Sequence, residues 1–128
     1  MPLVMVSCDY GVITQSYRDA LSQILTQSVA KALQLDPSRG LVVMSFNIIV
    51  QFRNREPADR NPKDIDVIIF AHDFPERLEN EAERAQQVAD DVAAWCDDSE
   101  LNTELGQLRG RVIMQLAPME FGVFPRES

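Results

Sequence analysis

Leu3-Val4-Met5-Val6-Ser7-Cys8 is a short apolar run, held between Pro2 and the turn Asp9-Tyr10-Gly11, and it reads as a β-strand. A helical pattern follows it. The helix starts near Thr14 to Ser16, where Ser16-Tyr17-Arg18-Asp19 has the S/T-x-x-acid form of an N-terminal cap. Tyr17, Ala20, Leu21, Ile24, Leu25, Ser28, Ala32 and Leu33 recur at helical spacing and make one buried stripe. Asp36-Pro37-Ser38-Arg39-Gly40 ends it. Alternation then takes over. Val42, Met44, Phe46, Ile48, Val50 and Phe52 form a wholly apolar face that packs on helices, and Val43 to Arg53 form a mixed one.

The order is repeated after the charged loop 54–63. Ile65 to His72 (IDVIIFAH) is a strand, and Asp73-Phe74-Pro75-Glu76-Arg77 leads into a helix. Ala82, Ala85, Val88, Ala89, Val92, Ala93 and Cys96 give that helix a small-residue stripe. An acidic loop, 97–106, precedes a strand from Arg111 to Leu116, which Pro118 breaks. Glu120 to Phe124 forms a short last strand or arm. Two βαβ units, each with a right-handed crossover, imply parallel pairing within each half and both helices on one face. The expected fold is α+β: a two-layer βαββαβ sandwich with a four-stranded sheet and two helices on one face. We expect one domain over residues 1–128, with pseudo-duplicated halves at about 1–53 and 64–128. The other sheet face carries Val43 and Ile49, is joined by the apolar tail 121–124, and is expected to be covered by other subunits.

Composition removes several function classes. The net charge of −8 opposes nucleic acid and anionic membrane as partners. It still permits an anionic small-molecule substrate, because ten of the 12 basic residues are Arg, the side chain suited to bidentate carboxylate recognition. The 2 cysteines, Cys8 and Cys96, read as small core residues, and with a single His no zinc site is expected. No metal or cofactor is called for. Neither a membrane helix nor a signal peptide is visible, so a cytoplasmic location is expected.

The chain opens Met1-Pro2. Initiator Met is usually removed before a residue as small as Pro, and removal would leave Pro2 with a free secondary amine at the head of a strand. A terminal amine has a reference pKa of about 7.7–8.0, near enough to neutrality to act as a base once its surroundings lower it. The plainer reading is that Met-Pro is an ordinary start.

With Met-Pro, an immediate short strand, the doubled βαβ order and this length, the chain resembles the tautomerase superfamily, its layout being most like the 5-carboxymethyl-2-hydroxymuconate isomerases. Pro2-Leu3-Val4-Met5-Val6-Ser7-Cys8 and Glu79-Asn80-Glu81-Ala82-Glu83-Arg84-Ala85-Gln86-Gln87 are the closest stretches. The resemblance implies a homotrimer with sheets facing a central barrel. It also implies a cofactor-free site at a subunit boundary, where the amino-terminal proline is the general base and arginines hold substrate carboxylates. Pro2 takes the catalytic role. Arg39, Arg53 and Arg77 are the substrate-binding candidates, with Arg55 behind them and Phe124 as a dry wall. Family members often carry Arg at the start of the second strand, where this chain has Val42. A dehalogenase-type acid near the C-terminus would be Glu120. Tyr10 is a candidate neighbour of the amine, with a turn tyrosine on the core as the plainer reading. For each arginine the plainer reading is a surface ion pair. His72 reads as a hydrogen-bonded sheet-end residue.

Two alternatives stand beside the isomerase. One is a catalytically inactive oligomeric binding module on the same fold, motivated by the missing strand-two arginine. The other is a ferredoxin-like regulatory domain, which shares the βαββαβ order. Strand one pairing in parallel with strand two favours the tautomerase arrangement.

Overall fold

The computed structural model describes residues 2–35, 42–59, 64–99 and 108–118. Its sheet has four strands: β1 (Leu3–Cys8), β2 (Ile49–Asn54), β3 (Ile65–His72) and β4 (Gly110–Ala117). Three α-helices connect them: α1 (Gln15–Ala32), α2 (Pro75–Glu79) and α3 (Glu81–Asp98). The strand order is β2-β1-β3-β4. β1 pairs in parallel with β2, and β3 with β4, while the central pair β1–β3 is antiparallel. This is the two-layer arrangement expected, and the parallel β1–β2 ladder excludes the ferredoxin-like alternative.

The core forms because each strand alternates. Val4, Val6 and Cys8 on β1 are buried, as are Ile65, Val67, Ile69 and Ala71 on β3. They face Leu21, Leu25 and Val29 of α1 and Val88, Val92 and Cys96 of α3. Each fully buried Val, Leu or Ile contributes about 1.5–3 kcal/mol by leaving water. The helix stripes shift slightly from expectation. Ala20, Ala82 and Ala93 are exposed, while Val29 and Trp95 are buried. Trp95 meets Tyr17 edge-on across the helix pair, at 6.4 Å between ring centroids. A polar contact locks the same pair: Ser28 Oγ donates to Asp91 at 2.6 Å, and Gln87 donates to both.

Three local expectations are corrected. No side-chain hydrogen bond caps α1 at Thr14, so the Ser16 cap is not formed. The entering chain is instead folded by Asp9, which accepts from Gly11, Val12 and Ile13. The segment before Arg77 is not simply a turn, since Pro75–Glu79 closes into a helix of its own. The third correction is the largest. The long second strand from Val42 begins only at Ile49, and Ser45–Asn47 is a 3₁₀ turn. Asn47 accepts the Met44 N–H with its side chain, 3.1 Å, and donates its own N–H back to the Met44 carbonyl, 2.9 Å. Such local Asn bonding competes with a ladder. Gln34, just past α1, also holds the Val43 backbone at both its N–H and its carbonyl. Val42, Met44 and Phe46 therefore lie on the surface, Phe46 at 76% exposure, rather than in an apolar sheet face.

Candidate active site at the Pro2 end of the sheet

Pro2 is half-buried at the head of β1, and its carbonyl accepts the Ile49 N–H at 3.1 Å. On the other side the ladder begins at Leu3–Phe70. Continued by one residue, that register sets Ala71 opposite Pro2, in the alternation of the buried Val4 and Val6. Opposed residues of an antiparallel pair lie about 4.5–5.5 Å apart. The C-terminal end of β3, with His72 and the start of α2 after it, therefore lies at the same end of the sheet as Pro2.

α1 also ends here, and its last carbonyls need donors. Arg77 supplies them. Its Nε and Nη2 donate to the Leu33 carbonyl at 3.1 and 2.9 Å, and its Nη1 to the His72 carbonyl at 3.0 Å. Arg84 completes the cap. Its Nη1 donates to the carbonyls of Ala32 and Gln34 at 2.7 and 2.8 Å, and its Nε to Asn80 at 2.6 Å. Two cations thus meet the negative end of the α1 dipole. Arg77 is only 3% exposed. Burial first, and the neighbouring Arg84 charge second, push its pKa below the ordinary guanidinium value. Among the described residues neither guanidinium makes a salt bridge to a carboxylate. At this end, then, both described guanidiniums are committed to backbone carbonyls and Asn80 rather than to carboxylates.

The open face of the sheet is built by the other half of each strand. Ile49, Leu3, Phe70 and Gln115 form one cross-strand row, and Gln51, Met5, Ile68 and Ile113 the next. The third row is Arg53, Ser7, Asp66 and Arg111. A concavity of about 430 Å³ lies over this face, lined in part by Met5, Ile68, Ile113, Arg53 and Asp66. Here the cations are paired: Arg111 Nε reaches Asp66 at 2.9 Å and Arg53 Nη2 reaches Asp59 at 3.1 Å. The Glu56 N–H, and then Arg53, hold the Asp59 carboxyl below its ordinary range.

The residues singled out from sequence are not gathered at one point. Arg53 pairs with Ser7, five residues along β1 from Pro2, or about 16 Å at the rise of a strand. Arg55 lies beyond it and donates its N–H to the Cys8 carbonyl. Tyr10 is at that same far end, held by Asn54 and covered by the Arg18 guanidinium at 3.8 Å, so it is not a neighbour of the amine. Arg77 is at the right end, but its donors close the helix. Arg39, Phe124 and Glu120 fall outside the described residues. Arg84 was missed in the sequence. Its signal was a basic residue inside the small-residue stripe of α3, on the side turned to α1.

No protein-family model matches the chain, and no curated protein matches it. Solved structures do. The chain is similar to a fused 4-OT described as an asymmetric trimer, with TM-score 0.61 and 14% identity over 95% of this chain and 92% of that one. Malonate semialdehyde decarboxylase gives TM-score 0.59 at 11% identity, over 95% and 92% of the two chains. A member of the cis-3-chloroacrylic acid dehalogenase family gives 0.52 at 16%, over 91% and 74%. The protein thus has the fold of tautomerase-superfamily structures. At these identities the likeness is one of fold.

No helix among the described residues is long and apolar enough to cross a membrane. No group of three or more His, Cys, Asp or Glu among them is arranged to hold a metal ion.

Proposed function

We propose that the protein is a cofactor-independent tautomerase or isomerase, in which the Pro2 nitrogen, freed of Met1, is the general base that shifts a proton in an enol or dienol carboxylate. The observation that carries this reading is the position of Pro2. It heads a central strand, and its end of the sheet holds two guanidiniums that form no salt bridge to a described carboxylate. Desolvation and nearby like charge both disfavour a protonated amine, so such a setting keeps the nitrogen available as a base. The same positive field favours the oxyanion that develops as the dienolate forms. The fold shared with solved superfamily structures supports the reading. Phe124 and the remaining tail would supply a dry wall, and Arg39 a carboxylate contact.

Arg53 lies too far along β1 to serve the Pro2 of its own chain. In a homotrimer it would serve the site of another copy, which agrees with a cleft at a subunit boundary. The test is the ketonisation of 2-hydroxymuconate or phenylenolpyruvate by protein whose intact mass confirms loss of Met1. Pro2→Ala is expected to lower kcat/KM at least 100-fold. Equal rates in the two proteins would reject the reading.

One observation favours a second reading, an inactive binding module. Arg77 and Arg84 commit their hydrogen bonds to carbonyls and to Asn80, and Arg53 pairs with Asp59. If no guanidinium is released for substrate, the fold serves assembly through its open face. Wild-type protein with a free Pro2 and no turnover of either substrate would support that outcome.

A further inference from the structure

A proline cannot donate to a ladder, so Pro2 is tied to the sheet through its carbonyl. On the β2 side that carbonyl accepts the Ile49 N–H at 3.1 Å. Ile49 is the first residue of β2, so no earlier rung of that strand steadies the proline. The Ile49 N–H is aimed by the run that enters β2, residues 43–48, and this run is held by its own hydrogen bonds. Ile48 is buried, and its N–H donates to the Ser45 carbonyl at 3.2 Å. Met44 and Asn47 exchange two bonds, at 3.1 and 2.9 Å. Val43 lies outside every described strand, yet both of its backbone groups are satisfied. Gln34 does this with one side chain: its Oε1 accepts the Val43 N–H at 3.4 Å, and its Nε2 donates to the Val43 carbonyl. Gln34 is half-buried and is itself held. Its carbonyl accepts from Arg84 Nη1 at 2.8 Å, and its N–H donates to the Lys31 carbonyl at 3.4 Å.

We infer that Gln34 is a positioning residue for Pro2, its amide fixing, through Val43 and the turn 45–47, where the Ile49 N–H meets the Pro2 carbonyl. The inference rests on the reading of Pro2 as the base. The nitrogen and the carbonyl of Pro2 flank one Cα, so a shift of the carbonyl carries the nitrogen with it. A misplacement of about 1 Å can cost a reacting group about 100-fold in rate. Gln34 touches no reacting atom. It works from behind, together with Arg84, which grips the Ala32 and Gln34 carbonyls from α3. The end of α1, the entry to β2 and the head of β1 are thereby braced as one unit. An amide is suited to the task, because it offers a donor and an acceptor side by side without a charge to desolvate.

Gln34→Met keeps the length of the side chain and removes both bonds to Val43. Hydrogen exchange of the Ile49 amide in the processed protein then reads the Pro2 rung directly, without a substrate. That amide is expected to exchange at least about 10-fold faster in the variant, while the β1–β3 ladder keeps its protection. Unchanged Ile49 exchange would overturn the inference. Kinetics add a readout that a loss of stability alone does not move. With phenylenolpyruvate, kcat is expected to fall about 10-fold with KM little changed, and the limb of the pH–rate profile set by the amine is expected to shift. Should Gln34→Met fail to fold, Gln34→Glu reads the same rung, since an ionised carboxylate accepts from Val43 but donates nothing. Wild-type exchange and kcat there would overturn the inference as well. An active Pro2→Ala protein would defeat the Pro2 reading. An inactive Pro2→Ala beside a Gln34→Met of wild-type exchange, kcat and pH profile would defeat only the role of Gln34.

Discussion

The two ends of the sheet use arginine in opposite ways. At the Pro2 end, Arg77 is buried and Arg84 half-buried, and both hold backbone carbonyls and make no described ion pair. At the far end, Arg53 and Arg111 are about half exposed, with side chains 48% and 45% accessible, and each faces a carboxylate. An exposed pair exchanges hydration for attraction at nearly equal free energy. A buried guanidinium bonded to three carbonyl contacts has no such exchange, because its removal leaves buried acceptors empty. One end is therefore held by cations bound to backbone carbonyls, and the other is adjustable.

The contrast can be broken most sharply at Arg77. Arg77→Ala is expected to cost about 3–5 kcal/mol in urea unfolding, since the Leu33 and His72 carbonyls lose their donors. A loss under about 1 kcal/mol would erase the distinction between the two ends. Arg84→Ala comes next. It is half-buried, and about 2 kcal/mol is expected from the same measurement.

The cysteines sharpen the picture of the far end, where Cys8 closes β1. Burial, and then Asp97 and Asp64, push the Cys96 thiol up to about 11. Cys8 is also raised, chiefly by burial, although Arg18 and Arg55 pull it down. A raised thiol pKa means that the folded state keeps its proton after the unfolded chain has lost it. Stability is therefore complete below about pH 8.5 and declines as pH climbs toward 11. For Cys96 the expected loss is about 2–3 kcal/mol by pH 10.5, read from urea midpoints, and Cys96→Ala should flatten the decline. At pH 8 both thiols should resist a water-soluble disulfide reagent until the protein unfolds. The smallest effects belong to the surface pairs. Arg111→Ala should change stability by less than about 1 kcal/mol. Arg53→Ala should leave the midpoint unchanged within error, at low or high salt, and a clear shift would show that this end is less adjustable than its exposure suggests.

Much of the fold was legible because it depends on periodicity. The strand Ile65–His72, the doubled βαβ order and the parallel ladders follow from alternation and crossover length. What failed was decided by single side chains acting locally. Asn47 and Gln34 stop a strand that alternation alone would extend to Val42. Asp9, not Ser16, organises the approach to α1. The site was only partly legible for a different reason. Sequence marks Pro2 and the arginines as types, but β1 has two ends, and only the register tells that Arg53 and Tyr10 stand at one and Pro2 at the other. Arg84 was hidden because a charged residue on a helix reads as solvated until the end of α1 is seen to need a donor.

The ladder also has a kinetic side. No two of the described strands form a hairpin: Leu3 waits for Ile49 on one edge and for Phe70 on the other, and Ile65 waits for Gly110. Every pairing must close a long loop before it returns any free energy, which makes for slow folding compared with local topologies. During synthesis the first strand is thus left with both edges open until its partners have been made.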